Sequence, residues 1–360
     1  MTDPSAATIR RLRNGVVPSW DIDRLSVGYD ETKRLTELSL KALDLPGQLT
    51  PLFVRGEWGT GKTHLLSFVQ AAASRASVAN ARIDLNARNA ALNYPQRFLR
   101  CVSESIQANG STGIKSFLVG ALEEKATRSI IKRFSRSTLA GDFGAALESI
   151  CTQFESGTAF ELGDHAVWSM LYGVDLSWSD DQMKRERAIS RIGALAQLCR
   201  AIGLKGLVLV MDEAETIDQL WNVRSRVSGY YVLERMFQSD ALWCVLATTM
   251  RFDRTIERDL ESGILSLELG HTEALDFLRR WRNNRYQRFE PPVIDGRGAK
   301  KLAGSIAQIY ELAYGRMGNV DDILTKCVLD WSKNPSRNPR RLIRLIVHAL
   351  DVSRKLATNR

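Results

Sequence analysis

The chain has 360 residues, 44% hydrophobic and 25% charged, enough for one or two sizeable cores and too apolar for general disorder. No apolar run approaches the roughly 20 residues that cross a bilayer, and Cys101, Cys151, Cys199, Cys244 and Cys327 lack the CxxC spacing of a zinc site or the pattern of a disulfide framework. Fifty Lys and Arg against 41 Asp and Glu leave a net charge of +9, which suits a polyanionic partner.

In chain order, Met1-Thr2-Asp3-Pro4-Ser5 lacks the charged-then-apolar pattern of a secretory signal, so a cytoplasmic protein is expected. Residues 1–48 read as an N-terminal helical segment, with helical spacing at Ile9 to Arg13 and Glu31 to Leu43 and a stop at Leu45-Pro46-Gly47. Pro51 to Arg55 is a short buried strand. The turn that follows, Gly56-Glu57-Trp58-Gly59-Thr60-Gly61-Lys62-Thr63, matches G-x-x-x-x-G-K-[ST] between a strand and a helix. Its glycines let backbone N–H groups wrap a phosphate, and the N-terminus of the next helix adds partial positive charge. Lys62 is expected to bridge the β- and γ-phosphates of ATP, and Thr63 to ligate Mg²⁺. His64 adjoins the loop and reads as helix surface rather than as a catalytic group; Trp58 reads as a shield. A helix over His64 to Ala76 and a second strand over Ala81 to Leu85 come next.

Residues from about 95 to 203 read as an almost wholly helical insertion, longer than a crossover needs. Its pieces are Gln96 to Ala108, Ile114 to Phe134, Phe143 to Glu155, Asp164 to Tyr172 and Gln182 to Ile202. Gly206 to Met211 is a third, strongly apolar strand that ends in Asp212-Glu213. Two acids at such a tip are costly without a cation. Mg²⁺–ATP supplies one, so Asp212 is expected to hold the metal shell and Glu213 to orient and deprotonate water. Tyr230 to Phe237 is helical, and a fourth strand over Leu242 to Ala247 ends in Thr248-Thr249. A threonine there can sense the γ-phosphate if this strand lies between the two motif strands; Thr249 is favoured, with Thr248 close behind. Arg254 and Arg258 follow, either as helix surface or, as in ring-forming ATPases, as fingers completing a neighbour's site.

Ile264 to Glu268 reads as a fifth strand, and the chain after Thr272 as helical. The segment 297–360 reads as a C-terminal lid, which leaves 49–296 as the α/β core with its insertion. Strands alternating with helices argue for a parallel sheet. Basic residues gather in three places. Lys333 to Arg360 holds eight against the single acid Asp351, Arg279 to Phe289 interleaves arginines with aromatics, and Lys125 to Arg136 forms a third cluster. Each is either a solvated face or a phosphate contact for double-stranded DNA. Arg340 and Arg341, in Asn338-Pro339-Arg340-Arg341-Leu342-Ile343-Arg344, either reach the γ-phosphate from the lid or belong to that basic surface.

Together these residues resemble the AAA+ superfamily in its initiator- and transposition-ATPase-like branch. Within it they resemble the ATP-binding proteins of BREX-type phage-defence systems, the BrxD-like family. The pieces are Leu12-Arg13-Asn14-Gly15-Val16-Val17-Pro18, Leu25-Ser26-Val27-Gly28, the phosphate loop, Gly206 to Glu215 and Asn338 to Arg344. The resemblance implies an AAA+ (ASCE) P-loop fold with sheet order 5-1-4-3-2, ATP hydrolysis, a helical lid, and work on DNA beside other defence subunits; a homo-oligomer is the matching expectation for assembly. Relatives often carry Gly-Arg where this chain has Gly28-Tyr29, so a nucleotide contact is lost or supplied elsewhere; Tyr29 could stack near the adenine.

The expected function is therefore a DNA-associated ATPase that drives conformational or assembly changes in phage defence. The alternatives are a nucleotide-dependent recruiter with little hydrolysis and a transposon target-site ATPase. Asp212-Glu213-Ala214-Glu215 resembles a helicase box, but the chain after it is too short for a second motor domain and lacks an arginine-rich Q-x-x-G-R-x-G-R motif.

Overall fold

A computed structural model describes residues 3–18, 20–86, 91–157, 165–176, 182–220, 222–262, 272–334 and 337–358. The strands are β1 (Leu52–Arg55), β2 (Ala79–Asp84), β3 (Gln107–Ala108), β4 (Ser111–Thr112), β5 (Leu207–Asp212), β6 (Leu242–Thr248) and β7 (Gln287–Phe289). They form one sheet in the order β4-β3-β2-β5-β6-β1-β7. The pairs β2/β5, β5/β6 and β1/β7 are parallel, and β2/β3 and β3/β4 antiparallel. By packing, the chain divides into two compact units, one of Met1–Leu35, Arg55–Ala71 and Glu290–Arg360, the other of Thr36–Val54 and Ala72–Phe289.

The second unit holds the sheet. Every residue of β5 and β6 is buried, as a near-continuous apolar run in a parallel sheet should be. Register sorts these residues by face. Ala79, Ala81 and Ile83 align with Leu207, Leu209 and Met211, and these with Leu242, Cys244 and Leu246. All nine join a large core with Phe98, Phe117, Phe143 and Leu195 of the helical insertion. The alternate positions Arg82, Asp84, Val210, Asp212 and Val245 take the opposite face.

The expected sheet order is corrected at both edges, while the central run β1-β6-β5-β2 matches the expected 1-4-3-2. The strand beside β1 is β7, drawn from a stretch read as helical. The expected fifth strand, 264–268, lies outside the described residues. Phe53 of β1 explains the pairing: its ring meets Trp281 edge-on at 4.7 Å and Tyr286 at 5.5 Å, on either side of the turn leading into β7. At the far edge, Asn109 (φ 49°) and Gly110 (φ 80°) make a two-residue turn between β3 and β4. Asn-Gly suits such a turn because both central residues take positive φ.

The insertion is otherwise helical, with one further correction. Ile114 to Phe134 is two helices, Ile114–Glu123 and Lys125–Ser135, parted at Glu124 with ψ at 121°. Arg128 donates to the freed Leu122 carbonyl at 2.8 and 3.0 Å. Further along, Arg191 is wholly buried on helix Gln182–Ala201 and donates to Asp142 and to Asp175, the latter at 2.7 Å through each terminal nitrogen.

The first unit is a helical bundle. Ile9 and Leu12 of helix Pro4–Arg13 pack with Leu302 and Ile306 of helix Gly296–Tyr314 and with Leu342 and Ile346 of helix Pro339–Thr358. Arg13 grips Asp351 through two bonds of 2.8 and 2.9 Å. Among the described residues no helix is long and apolar enough to cross a membrane.

Arg191→Ala strips two carboxylates of their shared cation and should lower unfolding free energy by about 3 kcal/mol. Arg187→Ala, which removes a half-exposed donor to the same Asp142, should cost under about 1 kcal/mol. Urea denaturation of the two variants checks the ranking.

Candidate nucleotide-binding site

The loop Gly56–Gly61 leaves β1 and enters helix Lys62–Arg75. Gly59 (φ 82°) and Gly61 (φ 103°) take backbone angles that side chains rarely adopt. Space is equally short. A Cβ on Gly59 would lie 2.3 Å from Nδ2 of Asn338, and one on Gly61 would lie 3.3 Å from the Tyr29 hydroxyl. Thr60 tightens the turn by donating its hydroxyl to the Glu57 carbonyl at 2.8 Å. Lys62 is buried, and its ammonium donates to the carbonyls of Gly56 (2.6 Å) and Glu57 (3.2 Å). Thr63 lies in the first turn of the helix, and Trp58 stands 73% exposed at the loop's outer side.

Behind the loop lie His64 and Tyr29. The Ser26 hydroxyl donates to the Ile22 carbonyl at 2.7 Å, so His64 Nε2–H must be the donor in its 2.9 Å bond to Ser26. Desolvation lowers the His64 pKa to about 4, so the ring is neutral at pH 7. His64 is therefore a half-buried support with a defined tautomer, where the sequence suggested helix surface. The Tyr29 ring meets His64 edge-on at 5.4 Å and lies 6.0 Å from Phe68. It is buried, which raises its phenol pKa and makes it a wall of the loop instead of an open stacking surface.

The acids occupy the end of β5. Asp212 is 7% exposed. Its Oδ2 accepts from Arg82 of β2 at 2.9 Å, and its Oδ1 accepts the Glu213 N–H at 3.0 Å. Glu213 is exposed and has φ of 57°, a left-handed conformation that costs of order 1 kcal/mol outside glycine. Alternation along β6 carries Thr249 to the face of Val210 and Asp212, and Thr248 to the opposite, core-facing side. Thr249 then begins helix Met250–Glu261.

Arg82 is the residue that sequence reasoning missed. Its signal was present, since in a parallel β2/β5 pair Arg82 and Asp212 fall on one face two positions apart. Seeing it required the register.

The arginines separate. Arg254 and Arg258 are exposed on helix Met250–Glu261 and belong to the same unit as Asp212, Glu213 and Thr249. Arg340 and Arg341 are exposed in the first turn of helix Pro339–Thr358, in the unit that holds the phosphate loop. Asn338 caps that turn, its Oδ1 accepting the Arg340 N–H at 2.8 Å. Of the basic clusters, the one in the insertion is engaged internally: Lys132 pairs with Glu155 and Arg136 with Glu148, both at 2.7 Å. In the second, Arg280 pairs with buried Glu234 at 2.9 Å, and Arg288 stacks on Trp281. Arg279, Arg282 and Arg285 stay exposed, and Arg279 and Arg285 line a cavity of about 430 Å³ with Gln48 and Asn283.

Residues 2–156 and 180–358 match the family described as BREX system ATP-binding protein BrxC/D. The chain belongs to that family. No curated protein matches it. The BrxC/D match includes the phosphate loop, both acids, Thr249 and the Asn338 turn, and its interruption falls within the helical insertion. Among the described residues no three His, Cys, Asp or Glu side chains converge as a metal site, so a metal here would need ligands from elsewhere, such as phosphate oxygens.

Acid should weaken this fold through His64. Between pH 4 and 6.5 the unfolded chain binds a proton that native His64 refuses, so stability is full above about pH 6.5 and falls towards pH 4. Urea midpoints at pH 7 and pH 5 should therefore differ more for the wild type than for His64→Gln.

Proposed function

We propose that this BrxC/D protein is a Mg²⁺-dependent ATPase of phage defence that associates with DNA and uses ATP binding and hydrolysis to change conformation or assembly. The observation that carries the reading is the sheet order: the phosphate loop follows β1, the acids end β5, and only β6, with Thr249 at its end, lies between. In open α/β sheets ligands bind beyond the strand ends.

ATP supplies the phosphoanhydride, and Mg²⁺ neutralises its oxygens. Gly56, Glu57, Trp58, Gly59, Thr60, Gly61 and His64 form or support the loop. Its positive-φ glycines and tight packing fit a phosphate, because no Cβ intrudes where backbone N–H groups must turn inward. Lys62 exchanges its loop carbonyls for phosphate oxygens. Thr63 and Asp212 would hold the metal. Exposed Glu213 takes the water's proton, and Thr249 positions that water. Arg340 or Arg341 reads the nucleotide from the lid, 297–360, while Arg254 or Arg258 serves the nucleotide of a neighbouring copy in a homo-oligomer. Arg279 and Arg285 contact the DNA backbone, beside other defence proteins.

A second reading, a recruiter that binds ATP and hydrolyses little, has one observation in its favour: Asp212 already carries a guanidinium.

Lys62→Ala should lose ATP affinity by at least about tenfold, whereas Glu213→Gln should keep it and lose turnover by about a hundredfold or more. Fluorescent-nucleotide titration and phosphate release separate the two effects. Retained affinity in Lys62→Ala would sink the ATPase reading; intact binding with no phosphate release from the wild type, even with DNA, would favour the recruiter. Arg279→Ser with Arg285→Ser should weaken duplex binding and lower the salt slope by about 2, measured by anisotropy at several salt concentrations.

A further inference from the structure

The ion pair between Arg82 and Asp212 sits where the metal-binding carboxylate is expected. Both oxygens of Asp212 already accept a bond, Oδ2 from the Arg82 guanidinium at 2.9 Å and Oδ1 from the Glu213 N–H at 3.0 Å. The Asp212 side chain is 9% exposed and that of Arg82 25%, so the pair is only lightly screened. Strand register fixes the encounter. Arg82 aligns with Val210 and Asp84 with Asp212, which puts the arginine diagonally behind the acid on one face. Arg82 also approaches Asp84 at 3.4 Å, an exposed carboxylate that offers the guanidinium a second partner.

A divalent ion and a guanidinium cannot share one carboxylate oxygen without repulsion. We infer that Arg82 is a resident cation on Asp212 that competes with Mg²⁺, and that metal–nucleotide binding displaces it towards Asp84. This inference rests on the reading of Asp212 as a metal ligand. It makes Arg82 a positioning residue for the metal, through Asp212, with no contact to the reacting atoms. The exchange keeps the buried acid paired at every stage, and it raises the Mg²⁺ concentration at which the site fills.

The test is a Mg²⁺ titration of the affinity of the full chain for a fluorescent ATP analogue, starting in EDTA. In Arg82→Gln the Mg²⁺ midpoint should fall by about fivefold or more, while affinity in EDTA stays within about twofold. Arg82→Lys, which keeps the charge but reaches less far, should lie between the two and guards against a folding defect in the glutamine variant. An unchanged or higher midpoint in both variants, with the wild type binding the analogue normally, overturns the inference and leaves the ATPase reading intact. If the wild type shows no Mg²⁺ dependence, or Asp212→Asn keeps it unaltered, the metal role of Asp212 fails and the inference with it.

Discussion

A carboxylate at the tip of a wholly buried strand must meet a cation, and much of this structure follows from that requirement. The six residues of β5 are all buried, so the chain leaves the sheet core with Asp212 still enclosed. Leaving such a charge without a partner costs several kcal/mol. Arg82 meets the need from β2. The phosphate loop presents the mirror case, in which the buried ammonium of Lys62 is met by two loop carbonyls. Each charge is satisfied within its own unit. On the proposed reading, phosphate and metal binding would be an exchange of partners, with a net free energy smaller than the raw attraction between a triphosphate and a lysine.

Packing gives the phosphate loop a mechanical connection as well. Asn338 fills the space beside Gly59 and also caps helix Pro339–Thr358 through its Oδ1. Its carbonyl accepts the Trp331 indole N–H at 3.0 Å. One residue thus touches the loop, starts one helix of the bundle and ties down the end of another, Val320–Ser332. A loop that rearranges around phosphate must move the Asn338 side chain or break its cap. Arg340 and Arg341 follow within the same turn, so displacement of the cap redirects both.

What the sequence disclosed divides along the same lines. The phosphate loop is a contiguous pattern with steric causes, and the apolar run of β5 followed by two acids is likewise local. Both were legible. The β3/β4 hairpin was legible in principle from Asn109-Gly110, but its strands of two residues are too short to show alternation. β7 was hidden because Gln287–Phe289 has no apolar run; it forms because Phe53, 230 residues or so earlier in the chain, gathers Trp281 and Tyr286 around it. Arg82 was hidden because its partner depends on strand register, which no single segment encodes. The sites that escaped are those defined by pairs of distant segments.

The same distinction bears on the basic charge. Pairing does not alter the net +9, so the long-range field that draws a polyanion is set by composition. Affinity at contact is different, because counterion release follows the cations that meet phosphates. Lys132, Arg136 and Arg280 already hold carboxylates, and Arg354 lies 4.2 Å over the Tyr314 ring. For these to bind DNA they must first abandon a partner. Arg279, Arg282 and Arg285 need not, and with three residues on one short stretch they form a narrow footprint. A chain with this distribution would attract a polyanion broadly and hold it locally.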